Sequence, residues 1–345
     1  MRNFTKALGV AMTGAGVALV ATPAQAAGTQ AGSTITNTVT VSYQVGGIAQ
    51  TAQTASNAVI VDRKVNLTVA SAASTTTVSP GQIAASTAFT ITNASNDTID
   101  IGLAVVNQSG GSAQHGGTDT IDVSNFKFYS DAALTTLITY LDEVAPDASR
   151  TVYVAADVAI SVTNGQIAGD ILTATAQAGG TVGTAGAVLT ATAGANTAGV
   201  DTVFADGAGA TDAANDGKYS AKGDYTVSAP VLTVSKTSTL ISDPVNGTTN
   251  PKAIPGAIME YCIAVTNAAG AATATSLTLS DPLPVTVAYN SGYGAFINGT
   301  ITGSTCNTDG TAGGTYTAGT TTVSGTLNNL TAGSTETLRF RTTIN

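Results

Sequence analysis

The chain has no tryptophan, one histidine and two cysteines, Cys262 and Cys306. With one histidine, any Ser-His-Asp relay would have to run through His115, and no G-x-S-x-G elbow is present to supply its nucleophile. His115 stands between Gly110-Gly111 and Gly116-Gly117, a setting that suits a loop better than a catalytic centre. Zinc sites need more His and Cys than this. Charge is scarce as well: 10% of residues are charged, where about 25% is usual. The balance is acidic, 21 Asp and Glu against 12 Lys and Arg, and lacks the clustered basic residues that nucleic acids and anionic membranes require. No G-x-x-x-x-G-K-[ST] segment occurs among the 38 glycines, so no phosphate cradle of that kind is encoded. Beyond the N-terminus there is no run of about 18 apolar residues, so no membrane span is expected.

What is present starts with an export signature. Arg2 and Lys6 precede the uncharged stretch Ala7 to Ala21, and Pro23 leads into Ala24-Gln25-Ala26. This predicts a signal peptide over 1–26, cleaved after Ala26, with Ala27 the competing position. Thr, Ala, Gly, Ser and Asn dominate the rest. Small and β-branched residues with little Leu, Lys or Glu favour sheet over helix. Disorder goes with low hydrophobicity, whereas 43% of this chain is hydrophobic. An all-β fold follows. In an exported chain Cys262 and Cys306 are expected to pair, the alternative being two separate buried thiols.

Period-two alternation marks the strands. Val39, Val41, Tyr43 and Val45 share one face, Thr38, Thr40, Ser42 and Gln44 the other, and Gly46-Gly47 reads as the hairpin turn before a strand near Ala58 to Val61. A hairpin this small does not stand alone and must lie on a sheet of its own domain or of another chain. From Asn66 the sequence then repeats. Leu67-Thr68-Val69 is echoed by Leu232-Thr233-Val234, and Pro80-Gly81 by Pro255-Gly256. A strand ending in Thr92-Asn93 is echoed by one ending in Thr266-Asn267, and Val144 to Val154 by Leu330 to Phe340. Pro-Gly turns between alternating strands predict a β-sandwich in duplicate. The expected organisation is a hairpin segment over 27–65, a first sandwich over 66–229 and a second over 230–345, with Pro230 at the junction. Within the first, Val200 to Phe204 and Tyr225 to Val227 read as short strands, and Asp206, Asp212 and Asp216 fall on a Gly/Ala-rich loop. Three such oxygen donors make a weak calcium candidate, against the plainer reading of a solvated acidic loop. No cofactor is otherwise expected. Lys236, Glu260 and Asn345 supply, in order, the residue types of a Lys–Asn cross-link with a helper acid.

The stretches Leu232 to Lys236, Ile254-Pro255-Gly256, Tyr261 to Asn267, Ala272 to Thr275 and Leu279 to Pro284 resemble the conserved-repeat domain of bacterial surface proteins, known as domain of unknown function 11. The middle third, through Phe126 to Tyr129 and Val144-Ala145-Pro146, is similar to domains that accompany this repeat in Gram-negative surface proteins. The resemblance implies immunoglobulin-like sandwiches, placement outside the cell or at its surface, and no catalytic residues. The expectation is a non-enzymatic structural or adhesive protein. The second expectation is a subunit of an extracellular filament or layer, its strand Thr36 to Val45 adding to a neighbour's sheet edge, with the partner the chain itself or other surface components.

Overall fold

The computed structural model describes residues 28–345; the expected signal peptide lies outside the described residues. Every regular element among them is a strand. The first four, β1 (Thr34–Val41), β2 (Gln44–Val45), β3 (Ile48–Ala49) and β4 (Gln53–Ile60), form an antiparallel ribbon closed by a two-residue turn. Gly46 and Gly47 both take positive φ, 60° and 82°, the geometry that matches hairpin twist and that other residues resist.

Next come β5 (Arg63–Val65), β6 (Leu67–Ser71), β7 (Thr76–Val78), β8 (Ala85–Asn93), β9 (Ile99–Asn107), β10 (Ser124–Tyr129), β11 (Leu137–Ile138) and β12 (Tyr140–Val144). They are followed by β13 (Ser149–Asp157), β14 (Ile167–Ala178), β15 (Thr202–Phe204) and β16 (Lys218–Val227). Two five-stranded sheets result, ordered β11-β10-β13-β8-β6 and β12-β9-β14-β16-β7, with β15 beside β5 as a parallel flap. Alternate residues of each sheet meet in one core: Leu67, Phe89, Ile91, Val152 and Val154 from one side, Ile99, Ile101, Leu141, Leu172 and Ala174 from the other. The strand expected only at Tyr225 to Val227 begins at Lys218. Its polar first half is held by the ladder to β14, a tertiary pairing that overrides local composition.

The second sandwich contains β17 (Leu232–Ser242), β18 (Ile258–Asn267), β19 (Thr278–Pro282), β20 (Val287–Tyr289), β21 (Ala295–Gly299), β22 (Ile301–Thr302) and β23 (Thr305–Cys306). It ends with β24 (Thr311–Ala312), β25 (Thr315–Thr317), β26 (Thr322–Thr326) and β27 (Thr335–Ile344). One sheet runs β17-β18-β27-β21-β24, with β20 also on β27, and the facing sheet is only β19-β26-β25. Ile263, Ala295, Leu338 and Phe340 pack on Val323 and Leu283 between them.

The repeat shares its wiring in one sheet of each copy, where β6-β8-β13 corresponds to β17-β18-β27. Leu67 pairs with Asn93 and Val69 with Ile91; Leu232 pairs with Asn267 and Val234 with Val265. Asn93 and Asn267 are both fully buried. Asn93 Nδ2 donates to the carbonyls of Asp97 and Val144, and Asn267 Nδ2 to those of Ala272 and Leu330. The backbone closes the same way: Asp147 N donates to Asn93 O, Gly333 N to Asn267 O, and both turn residues hold positive φ, 60° and 74°. Thus the asparagine ending each Thr-Asn strand is the clasp that receives the turn before β13 or β27. Burial obliges its amide to find these partners.

Candidate functional site

The ribbon is an extended exposed apolar feature among the described residues. Asn96 ties its root: Nδ2 donates to Thr29 O and Asp62 O, each at 2.9 Å, while Oδ1 accepts Lys64 N at 2.8 Å. Beyond that root, every residue of β1 and all of β4 except Ile60 are exposed. Cross-strand register puts Ile35 with Val59, Asn37 with Asn57, Val39 with Ala55 and Val41 with Gln53 on one face. Thr34, Thr36, Thr38 and Thr40 line the other. No residue from Gly28 to Val61 is charged. A chain usually guards such edges with lysine, proline or charge; here the strands carry none. Among the described residues the ribbon pairs only with itself.

Elsewhere the polar residues serve the scaffold. His115 is clamped: its backbone N donates to Asp224 Oδ2 at 2.8 Å, Nδ1 lies 2.7 Å from Asp224 Oδ1, and Nε2 lies 2.9 Å from Ala72 O. Acceptors at both ring nitrogens favour the cationic imidazole, and the Asp224 bond raises its pKa. A histidine so engaged has no free nitrogen to deprotonate a hydroxyl. A cleft of about 630 Å³ opens beside it, between the end of β6 and Tyr219 to Lys222.

The acidic loop does not converge. Asp206 is buried and accepts Asp216 N and Gly217 N; Asp212 accepts Gly209 N and the Ser220 hydroxyl; Asp216 accepts Lys218 N. Among the described residues the three do not form a close carboxylate group. The group that does form is Asp100, Asp142 and Glu143, whose oxygens come within 4.8 Å of one another. These too are engaged by backbone: Asp100 accepts Glu143 N and Gly186 N, Asp142 accepts Gly183 N, and Glu143 accepts Gly180 N. They pin the segment after β14 over the β9–β12 edge. Nothing in the spacing of the sequence joined Asp100 to residues 142–143; the β9–β12 ladder does.

A core carboxyl also escaped sequence reading. Asp170, fully buried on β14, accepts the Thr87 hydroxyl at 2.9 Å, and Tyr225, whose hydroxyl donates to Val154 O, lies alongside. Burial raises the Asp170 pKa to about 7 against the Thr87 bond, with nearby Asp224 adding to the rise.

In the second sandwich Cys262 and Cys306 are bonded, Cα atoms 5.4 Å apart. Cys262 alternates with Tyr261 and Ile263, so the bond fastens the β22–β23 hairpin to the outer face of β18. Lys236 reaches Asp281 at 2.7 Å and stacks over Tyr261. Asn345 instead donates to Val285 O, and Glu260 receives Arg341 and Tyr293. The cross-link residue types are therefore not brought together.

No protein-family model matches the chain, and no curated protein matches it. The family resemblance of the last third thus has no such match behind it. Among solved structures, the chain aligns with the C-terminal domain of the Streptococcus agalactiae AgI/II polypeptide BspA at 9% identity, covering 81% of this chain and 91% of that one, with a TM-score of 0.32. It aligns with a protein from Corynebacterium diphtheriae described as membrane anchored at 12% identity, covering 90% and 89%, with a TM-score of 0.20. Superpositions this loose transfer no role.

Proposed function

We propose that this protein is a non-enzymatic structural component exported to the bacterial surface or its surroundings, and that the N-terminal ribbon is its attachment element. The observation that carries this is the ribbon itself: two eight-residue strands, uncharged, apolar on one face and paired with no other strand among the described residues. An isolated two-stranded hairpin is at best marginally stable in water. A second surface therefore stabilises it, and a sheet edge offers both backbone and side-chain complementarity. The polar networks support the same reading, because they hold loops and strands in place. Disulfide use suits an oxidising compartment. Self-association of this chain into a filament or layer is the favoured form of attachment, since the ribbon has no charge with which to select an oppositely charged partner. The test is replacement of residues 33–60 by a short Gly-Ser linker, with light scattering and negative-stain microscopy of both proteins. The parent is expected to form concentration-dependent assemblies and the replacement to remain monomeric. Equal assembly by both would remove the ribbon from the function.

A further inference from the structure

The two sandwiches share their wiring but not their cover. In the first, β9 pairs with β12 on one side and β14 on the other, and β16 follows β14. In the second, β19 and β26 stand where β9 and β12 stand. The bridge Ala274 to Leu330 matches the pair Ile99 to Val144, and β19 pairs with β26. Beyond β19, however, no strand follows among the described residues. Among the described residues nothing occupies the places that β14 and β16 take in the first sandwich.

The consequence is visible at equivalent residues. Leu67 and Val69 are 0% and 6% exposed, with Tyr219 and Ala221 of β16 packed on their cluster. Leu232 and Val234, in the same register and on the same core-facing side, are 43% and 65% exposed. The outer edge of β17 is unpaired over eleven residues. Lys236, next on that face, bonds Asp281 of β19, so the open seat carries no net charge and has a fixed inner end. What fits is an antiparallel pair of uncharged strands with apolar residues on one face.

We infer that this seat receives the β1–β4 ribbon of a second copy of this chain. The ribbon is an antiparallel ladder of eight residue pairs, the β14–β16 unit one of nine. One ribbon edge runs along β19 as β14 runs along β9, and Ile35, Val39 and Val41 cover Leu232 and Val234. A ribbon about 27 Å long that loses one face and one edge to a partner buries on the order of 1,000 Å² in total, the threshold for a specific interface. Because ribbon and seat lie on different sandwiches, the contact is heterologous and propagates as a filament. This identifies the recipient for the attachment role proposed above and rests on it.

Site-directed cross-linking tests it. Full-length Val39→Cys and Val234→Cys proteins, both at exposed positions and each checked by circular dichroism, are mixed and oxidised. A disulfide-linked Val39→Cys–Val234→Cys pair is expected, and the Leu232→Lys/Val234→Lys protein is expected to stay monomeric by light scattering. Cross-linking of Val39→Cys only to itself, with unimpaired assembly of the double-lysine protein, overturns the seat while leaving ribbon-mediated assembly intact. Monomers throughout, with no intermolecular disulfide, overturn both.

Discussion

Raising the pH from about 4.5 to 7.5 should weaken this protein, and replacing Asp170 by Asn should remove most of the effect. Desolvation between the two sheets raises the Asp170 carboxyl from 3.8 to about 7. Between those values the folded chain holds a proton that the unfolded chain releases, so stability falls as pH rises and levels off above 7. At about 1.4 kcal/mol for each pH unit, the window from 3.8 to about 7 sets a ceiling of about 4 kcal/mol. Urea unfolding at fixed steps across this range measures the slope directly. Asp170→Asn keeps an acceptor for Thr87 but cannot ionise, so its slope, rather than its absolute stability, is the diagnostic. His115 acts in the same direction, because the Asp224 bond raises its pKa. Its stabilisation is complete below about 6.5 and is lost at higher pH, as the imidazolium deprotonates in the fold. A His115→Gln control separates the two windows. A wild-type slope that is flat or rising, or an Asp170→Asn slope equal to it, would refute the protonated core carboxyl.

Two further outcomes follow from the repeated scaffold. Replacing both cysteines by serine frees a segment of sequence separation 44, which on the chain-entropy account costs about 4 kcal/mol. Calorimetry should show the loss confined to the transition of the second sandwich, and an unchanged thermogram would show the bond to be dispensable. Asn93→Ala and Asn267→Ala each strand buried carbonyls and an amide. Each should cost about 2–4 kcal/mol by urea unfolding, and a change below about 0.5 kcal/mol at either site would show that the clasp does not hold the turn.

Some of this was legible in sequence because it is local. The turn at Gly46-Gly47 needs two residues tolerant of positive φ and has them, and the face shared by Val39 and Val41 is a matter of period two. The Thr-Asn echo was visible as a pattern, although its reason, an asparagine bonded to Val144 or Leu330 some fifty or sixty residues on, was not. Composition misled at the acidic loop. Asp206, Asp212 and Asp216 are close in sequence, yet each turns to a different backbone donor, whereas Asp100, Asp142 and Glu143 are gathered by a ladder that sequence proximity does not reveal. Asp170 was missed for the opposite reason: a lone aspartate in Ile167–Ala178 has no local mark that says its face points inward.

The pair Leu232 and Val234 shows where alternation stops being informative. Period two specifies which side of a strand is apolar, and it is the same in Leu67-Thr68-Val69 and Leu232-Thr233-Val234. Whether that side is buried depends on strands supplied from elsewhere: for Leu67 from residues 167–178 and 218–227, far along the same chain. At β17 the same apolar face is prepared and the described chain sends nothing across it. The ribbon is the reverse case, with an apolar face presented and no sheet beneath. Both halves are anchored, the ribbon by Asn96 and β17 by its ladder to β18, so neither can collapse onto a neighbour in its own sandwich without breaking buried bonds. In the proposed assembly these two surfaces are buried between molecules, and the difference in cover between two otherwise similar sandwiches decides which surface receives which.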